Sequence, residues 1–121
     1  MFKLLQVFTL FFGVFVSLCF YNGIRFRYSL NNAVLRTLLT ALEDTRWADG
    51  FSESKFSEIL TGMSMEQVTS ILGEPLRKTC LIECEWVYSW QKDSIASFDW
   101  RSVHFDSQGR VDSKRRDFFI D

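Results

Sequence analysis

The distribution of charge and hydrophobicity divides the chain into two unlike parts. From Leu4 to Ile24 the run LLQVFTLFFGVFVSLCFYNGI carries no charged side chain over 21 residues. As an α-helix it is about 32 Å long, enough to cross the hydrocarbon core of a bilayer. Seven of the 13 phenylalanines fall within the first 26 residues, and they point all round the helix. That pattern suits lipid on every side better than a single apolar face. Tyr21, Phe26 and Tyr28, with Arg25 and Arg27, are residues of the membrane–water interface. Residues 1–28 are therefore expected to be a membrane anchor or signal segment. Residues 31–49 predict a connecting amphipathic helix within 29–50. Asn31 or Asn32 can cap it, Val34, Leu35, Leu38, Leu39 and Leu42 form its apolar stripe, and Gly50 ends it. The preferred reading rests that stripe on the following domain; the alternative is contact with a partner helix or a bilayer surface.

From residue 51 onward the apolar runs are short. Ser52 to Leu60 predicts a small helix with Phe56, Ile59 and Leu60 as its buried face. A second helix follows with complete boundary signals. Ser64 is placed to cap it, Gln67 to close a capping box, and Gly73 and Pro75 to stop it. Met65, Val68, Ile71 and Leu72 line one side. Such a helix is too short to persist alone and needs a surface to lie on. After Pro75 the period changes to 2. Cys84, Trp86, Tyr88 and Trp90 alternate with Glu85, Val87 and Ser89, which predicts a strand with one aromatic face. Gln91 to Ser94 is read as a loop and Phe98 to Asp106 as the next strand. Asp106 to Gly109 is a turn with Gly109 left-handed, and Arg110 to Ile120 forms the third strand.

Gly62, Met63, Ser64, Gln67, Val68, Leu72, Gly73 and Pro75, with Gly109 in the later turn, resemble the signature of the SmpA/OmlA, or BamE-like, domain. Phe56 to Met63, Trp86 to Trp90 and Val103 to Val111 are similar to neighbouring parts of that family, so the likeness covers residues 51–118. It implies an α+β domain of two short helices packed on a three-stranded antiparallel sheet, in two layers, here occupying residues 51–121. It also implies a place in the bacterial cell envelope, where the family's best-known member is a lipoprotein accessory of outer-membrane β-barrel assembly. The domain is expected to be periplasmic. Fold likeness of this kind says little about the partner.

Processing of the N-terminus admits three readings. An uncleaved inner-membrane anchor is preferred. A lipoprotein modified at Cys19 is the second, although Leu18 is bulky where that signal needs a small residue, and Phe20 follows. A cleaved secretory signal at Ser17-Leu-Cys19 fits poorly. Lys3 at one end faces Arg25 and Arg27 at the other, so charge alone does not favour export of the domain.

The net charge is −1, but all 15 acids lie after residue 42, and residues 30–121 alone carry a net −4. That balance gives no basic field for nucleic acid. Cys80 and Cys84 are expected to form a disulfide in an exported domain, or to remain free thiols in a cytoplasmic one. With one histidine, His104, no His/Cys metal cluster can be assembled. Phosphate loops, nucleophile elbows and HExxH motifs are missing from the sequence. No cofactor and no enzymatic activity are expected. The Lys114-Arg115-Arg116 run reads as a solvated edge-strand device, or else as a contact for anionic lipid or an acidic partner. The sheet face opposite the helices is expected to expose Trp86, Tyr88, Trp90, Phe98 and Trp100 as a protein-binding patch. The function expected is a non-enzymatic envelope interaction module that also meets the bilayer through residues 4–24. The alternative is a membrane-anchored binding, inhibitor or immunity-type module for one dedicated partner.

Overall fold

The computed structural model describes residues 1–39, 44–92 and 97–119. Two compact units divide the chain, Met1–Ala41 and Leu42–Asp121.

In the first unit, helix α1 spans Phe2–Phe26 and α2 spans Leu30–Leu39. Among the described residues α1 is the one helix long and apolar enough to cross a membrane. Its few hydroxyls are satisfied internally, with Thr9 donating to the Leu5 carbonyl at 2.8 Å and Ser17 to Gly13 at 2.9 Å. Arg27, left-handed at φ 53°, ends α1. Ala33 N–H donates to the Ser29 carbonyl at 2.9 Å, so α2 starts at Leu30, ahead of the expected Asn31 or Asn32 cap.

The connecting helix expected through residue 49 is shorter than the sequence suggested. Thr45–Trp47 forms strand β1, in the second unit. The reason is pairing. β1 runs antiparallel to β4, Ser89–Gln91. Thr45 Oγ1 accepts from Asp99 N–H at 2.9 Å, and Trp47 stacks on Phe51 with ring centroids 4.8 Å apart. A Thr-Arg-Trp triplet suits a strand once a partner is present. Leu42 lies outside the described residues.

The second unit builds helices α3, Glu53–Glu58, and α4, Met65–Leu72, onto an antiparallel sheet. Ser52 caps α3, its hydroxyl accepting from Lys55 N–H at 3.2 Å. Phe56 and Ile59 are buried as expected, but Leu60 lies past the end of the helix and is exposed. The capping box of α4 is complete. Ser64 Oγ accepts from Gln67 N–H at 3.2 Å, and Gln67 Oε1 accepts from Ser64 N–H at 2.8 Å. Glu66, in the first turn, takes a backbone N–H and the Ser64 hydroxyl, which hold its carboxyl below the usual range. At the other end Gly73 leaves the helix at φ 76°, ψ −166°, an extended mirror-image conformation open essentially to glycine alone. The chain thereby turns straight into Pro75 and the sheet instead of completing a left-handed cap.

The main sheet has four strands in the order β2-β3-β5-β6, where three were expected. β3 is Cys84–Val87, β5 is Phe98–Phe105 and β6 is Val111–Phe119. The additional strand β2, Arg77–Cys80, is polar and exposed throughout, so no alternation marks it in the sequence. It is held by its register with β3, from Arg77 opposite Val87 to Cys80 opposite Cys84. The β5–β6 hairpin closes at Asp106, whose Oδ1 accepts from Gln108 N–H at 2.9 Å and Arg110 N–H at 3.0 Å, with Gly109 at φ 74°. Ile120 and residues 93–94 of the expected loop lie outside the described residues.

The core lies between the helices and one sheet face. Phe56, Ile59, Val68 and Leu72 pack there on Trp86, Tyr88, Val103, Phe105 and Val111. The junction residues attach this layer to the sheet by backbone. Gly62 N–H donates to the Val111 carbonyl and Val111 N–H to the Met63 carbonyl, each at 2.8 Å.

Two substitutions separate these contributions. Gly73→Ala is expected to destabilise the second unit by roughly 1–3 kcal/mol through backbone strain, and Ser64→Ala by about 1 kcal/mol through loss of the cap. Urea unfolding followed by tryptophan fluorescence measures both, and an unchanged midpoint for Gly73→Ala contradicts the assigned conformation.

Candidate interaction surface

The aromatic residues expected on one open face are divided between two. Trp86 on β3 and Tyr88 just past its end point toward the helices and belong to the core. Tyr88 Oη donates to the Gly73 carbonyl at 3.2 Å, joining the exit of α4 to the sheet. The strand is interrupted at Tyr88. Its N–H donates to the Arg101 carbonyl at 2.9 Å, while Ser89 Oγ accepts from Arg101 N–H at 2.7 Å. A side-chain oxygen thus stands in for a ladder carbonyl. β4 continues past this irregularity, and Trp90 joins the cluster formed by Val87, Phe98 and Trp100 on the opposite face.

That opposite face covers itself. Trp90 packs 5.3 Å from Trp100 and 6.1 Å from Phe98, and Phe119 stacks on Phe98 at 5.6 Å (ring centroids). The Arg77 guanidinium lies 4.3 Å over the Trp90 ring. Phe98 and Trp100 are consequently only 8% exposed each. Four of the five expected contact residues, Trp86, Tyr88, Phe98 and Trp100, are therefore packing residues. The strict period-2 pattern did not anticipate the break at Tyr88 or the aromatic lid from β6. Trp90 and Phe119 remain half-buried at the rim.

The charges on β6 are engaged on both faces. Toward the helices, Lys114 Nζ donates to the Phe56 carbonyl at 2.9 Å, and Arg116 reaches Glu53 at 3.4 Å and Ser57 Oγ at 3.2 Å. Glu53 also holds the Nε of Arg101, a fully buried side chain whose Nη1 donates to the Trp100 carbonyl at 2.7 Å. Arg115, on the other face, pairs with Asp117. The run expected to be a solvated edge is instead a clamp between the edge strand and α3. Asp99 and Arg101, charged residues inside an apolar strand, were the sequence signal for this polar core.

On the outer face Trp100 Nε1 donates to Ser102 Oγ at 3.0 Å, and His104 Nε2 lies 3.3 Å from both Ser102 Oγ and Glu85 Oε1. A Ser–His–acid relay needs its two partners on different ring nitrogens. Here both meet the same nitrogen, and Ser102 is buried. Among the described residues no group of His, Cys, Asp and Glu could hold a metal ion.

Among the described residues of the second unit, the most exposed large apolar side chains sit at the tip of the β2–β3 hairpin. Cys80 and Cys84 are joined by a disulfide across that tip. Between them Leu81 and Ile82 are 95% and 84% exposed. Glu83 follows, its carbonyl accepting from Leu81 N–H at 3.2 Å. Sequence reading singled out the cysteines and passed over the pair between them, although two large apolar residues inside a C-x₃-C loop have nowhere to be buried.

Because Tyr88 is buried, its phenol is pushed above its ordinary range, first by loss of solvent and then by the negative charge of Glu74. A phenol with a raised folded-state pKa contributes stability below its ordinary value of about 10, and loses it as pH rises through the folded value. Tyr88 is expected to ionise together with alkaline unfolding, seen as tyrosinate absorbance rising with the loss of tryptophan fluorescence. Tyr88→Phe should uncouple the two signals at a stability cost of about 1 kcal/mol.

No curated protein matches the chain. A protein-family model does: the outer membrane protein assembly factor BamE domain, over residues 51–115. The match takes in both short helices, the Gly62-Met63-Ser64 junction, the sheet through β5 and the first half of β6, whereas α1, α2 and β1 lie outside it. With more than half of its length matched by this model, and with short helices laid on an antiparallel sheet as that family requires, the chain belongs to the BamE domain family of outer membrane protein assembly factors.

Proposed function

We propose that the protein is a non-enzymatic accessory in outer-membrane β-barrel protein assembly, acting by protein–protein contact from the periplasmic side of a membrane. The observation that carries this reading is the family match over residues 51–115. The apolar α1 supports an anchored protein, with residues 4–24 in the bilayer. An uncleaved inner-membrane anchor remains the preferred form, and lipidation at Cys19 the alternative. The domain is proposed to bind protein partners, with no nucleic acid and no cofactor.

The contact surface we favour is the stapled tip, Leu81 and Ile82. Bare apolar residues on a covalently fixed loop lose little conformational freedom on binding, which favours affinity. A second reading, a module for a single dedicated partner, is favoured by one specific observation. The Cys80–Cys84 staple displays a bare apolar pair on a fixed loop, which suits one fitted partner.

Affinity co-purification of the full chain from detergent-solubilised envelopes tests both readings. Near-stoichiometric recovery of the barrel-insertion machinery supports the accessory role. Recovery of one unrelated protein moves the function to the dedicated module, and recovery of neither removes both. The variant carrying Leu81→Asp and Ile82→Asp is expected to keep its thermal midpoint, since exposed substitutions usually change stability by less than about 0.5 kcal/mol. It should lose at least about tenfold in partner recovery if these residues are the anchors. Unchanged recovery excludes the tip.

A further inference from the structure

We propose that α2 is seated in the membrane, as the short second arm of a hairpin whose outward face meets the acyl-chain boundary of a phospholipid leaflet. This rests on the reading above that α1 lies in the bilayer.

The argument is the orientation of α2. Its hydrogen bonds and its closest approach to α1 are made by small and polar residues, with Leu30 and Val34 flanking that seam beside Phe20 and Ile24. Ala33, buried, comes within 3.6 Å of where a Cβ on Gly23 would stand. Asn22 Nδ2 donates to Thr37 Oγ1 and Arg36 donates to Asn22 Oδ1, each at 2.8 Å. Yet its large apolar side chains are not enclosed by that seam: Leu30 is 71% exposed and Leu38 61%, with Val34 and Leu35 half-buried. A helical hairpin in water does the reverse, placing its leucines at the seam and its polar groups outside. In lipid there is no hydrophobic drive between helices. Small residues and interhelical hydrogen bonds make the seam, and apolar side chains face outward.

Charge and depth agree with this placement. The unit contains Lys3, Arg25, Arg27 and Arg36 and no acid, the first acid of the chain being Glu43. Arg25 and Arg27 are exposed where α1 ends, which suits a turn at the level of lipid phosphates. Arg36, deeper, is held by Asn22 and lies 3.9 Å over the Phe26 ring, so its cation has partners at that depth. With 10 residues α2 is far too short to span. Its bonds to α1 fall between Asn22 and Phe26, so it reaches about the headgroup–acyl boundary, the depth at which amphipathic helices lie.

Depth-dependent quenching of the full-length protein tests this. Cys19→Ala leaves no reactive thiol, because Cys80 and Cys84 are paired. In that background Leu38→Cys and Phe11→Cys are labelled in turn with an environment-sensitive fluorophore. Each is reconstituted in phosphatidylethanolamine–phosphatidylglycerol vesicles, with or without lipids brominated near the acyl carbonyl or near the chain end. The Leu38 label is expected to lose most of its emission to the shallow bromines and little to aqueous iodide. Quenching of the Phe11 label alone keeps the anchor and overturns the placement of α2. In that case iodide shows whether the Leu38 label lies in water, or is protected by the domain or a second copy. Quenching of neither label overturns both.

Discussion

Two backbone hydrogen bonds, from Gly62 to Val111 and from Val111 to Met63, hold the architecture of the second unit together. They fasten the turn between α3 and α4 to the first residue of β6. Without them each helix would be a segment of 6 or 8 residues with little reason to persist. With them the helix pair has a fixed position over the sheet. The Ser64 cap then directs Val68 and Leu72 onto Trp86, Val103 and Phe105. The junction is thus where local sequence chemistry becomes tertiary structure. Gly62 supplies the turn at φ 91°, Met63 the acceptor and a half-buried side chain, and Ser64 the start of the helix.

The two sides of the sheet obey different rules. The helix side combines an apolar core with a buried ionic clamp, Glu53 between Arg101 and Arg116. Such a clamp contributes less to net stability than its charges suggest, because both ions lose water. Its geometric effect is to hold α3 against the edge strand at one position. The outer side is closed by its own aromatic rings, not by α3 or α4. Trp90 and Phe119 shield Phe98 and Trp100, and the guanidinium of Arg77 covers Trp90 in turn.

Legibility in the sequence followed the range of the interactions. The α4 boundaries were readable because caps, glycine and proline act within a few residues. α1 was readable because an apolar run unbroken by charge is legible without any distant partner. β1 and β2 were not, since three or four polar residues become strands only through partners distant in the chain or through a covalent staple. The exposure of the aromatic face was misjudged for a related reason. Alternation along β3 assigned Trp86, Tyr88 and Trp90 to one face, and only the insertion of Ser89 Oγ into the ladder moves Trp90 to the other. Lys114 and Arg116 looked solvated because the carbonyls and the carboxylate that hold them come from a helix some sixty residues earlier.

The position of the disulfide also bears on the order of events in maturation. Cys80 ends the exposed outer strand β2, whereas Cys84 opens β3 and packs half-buried at the rim of the core, none of whose fully buried residues is a cysteine. The fully buried core is thus built without either sulfur, and oxidation acts chiefly on the loop between them. Folding and display are separable steps, the second one governed by the chemistry of the surrounding compartment. A chain that has reached an oxidising space carries its apolar tip in one rigid shape, while a chain that has not presents the same core with a loose end.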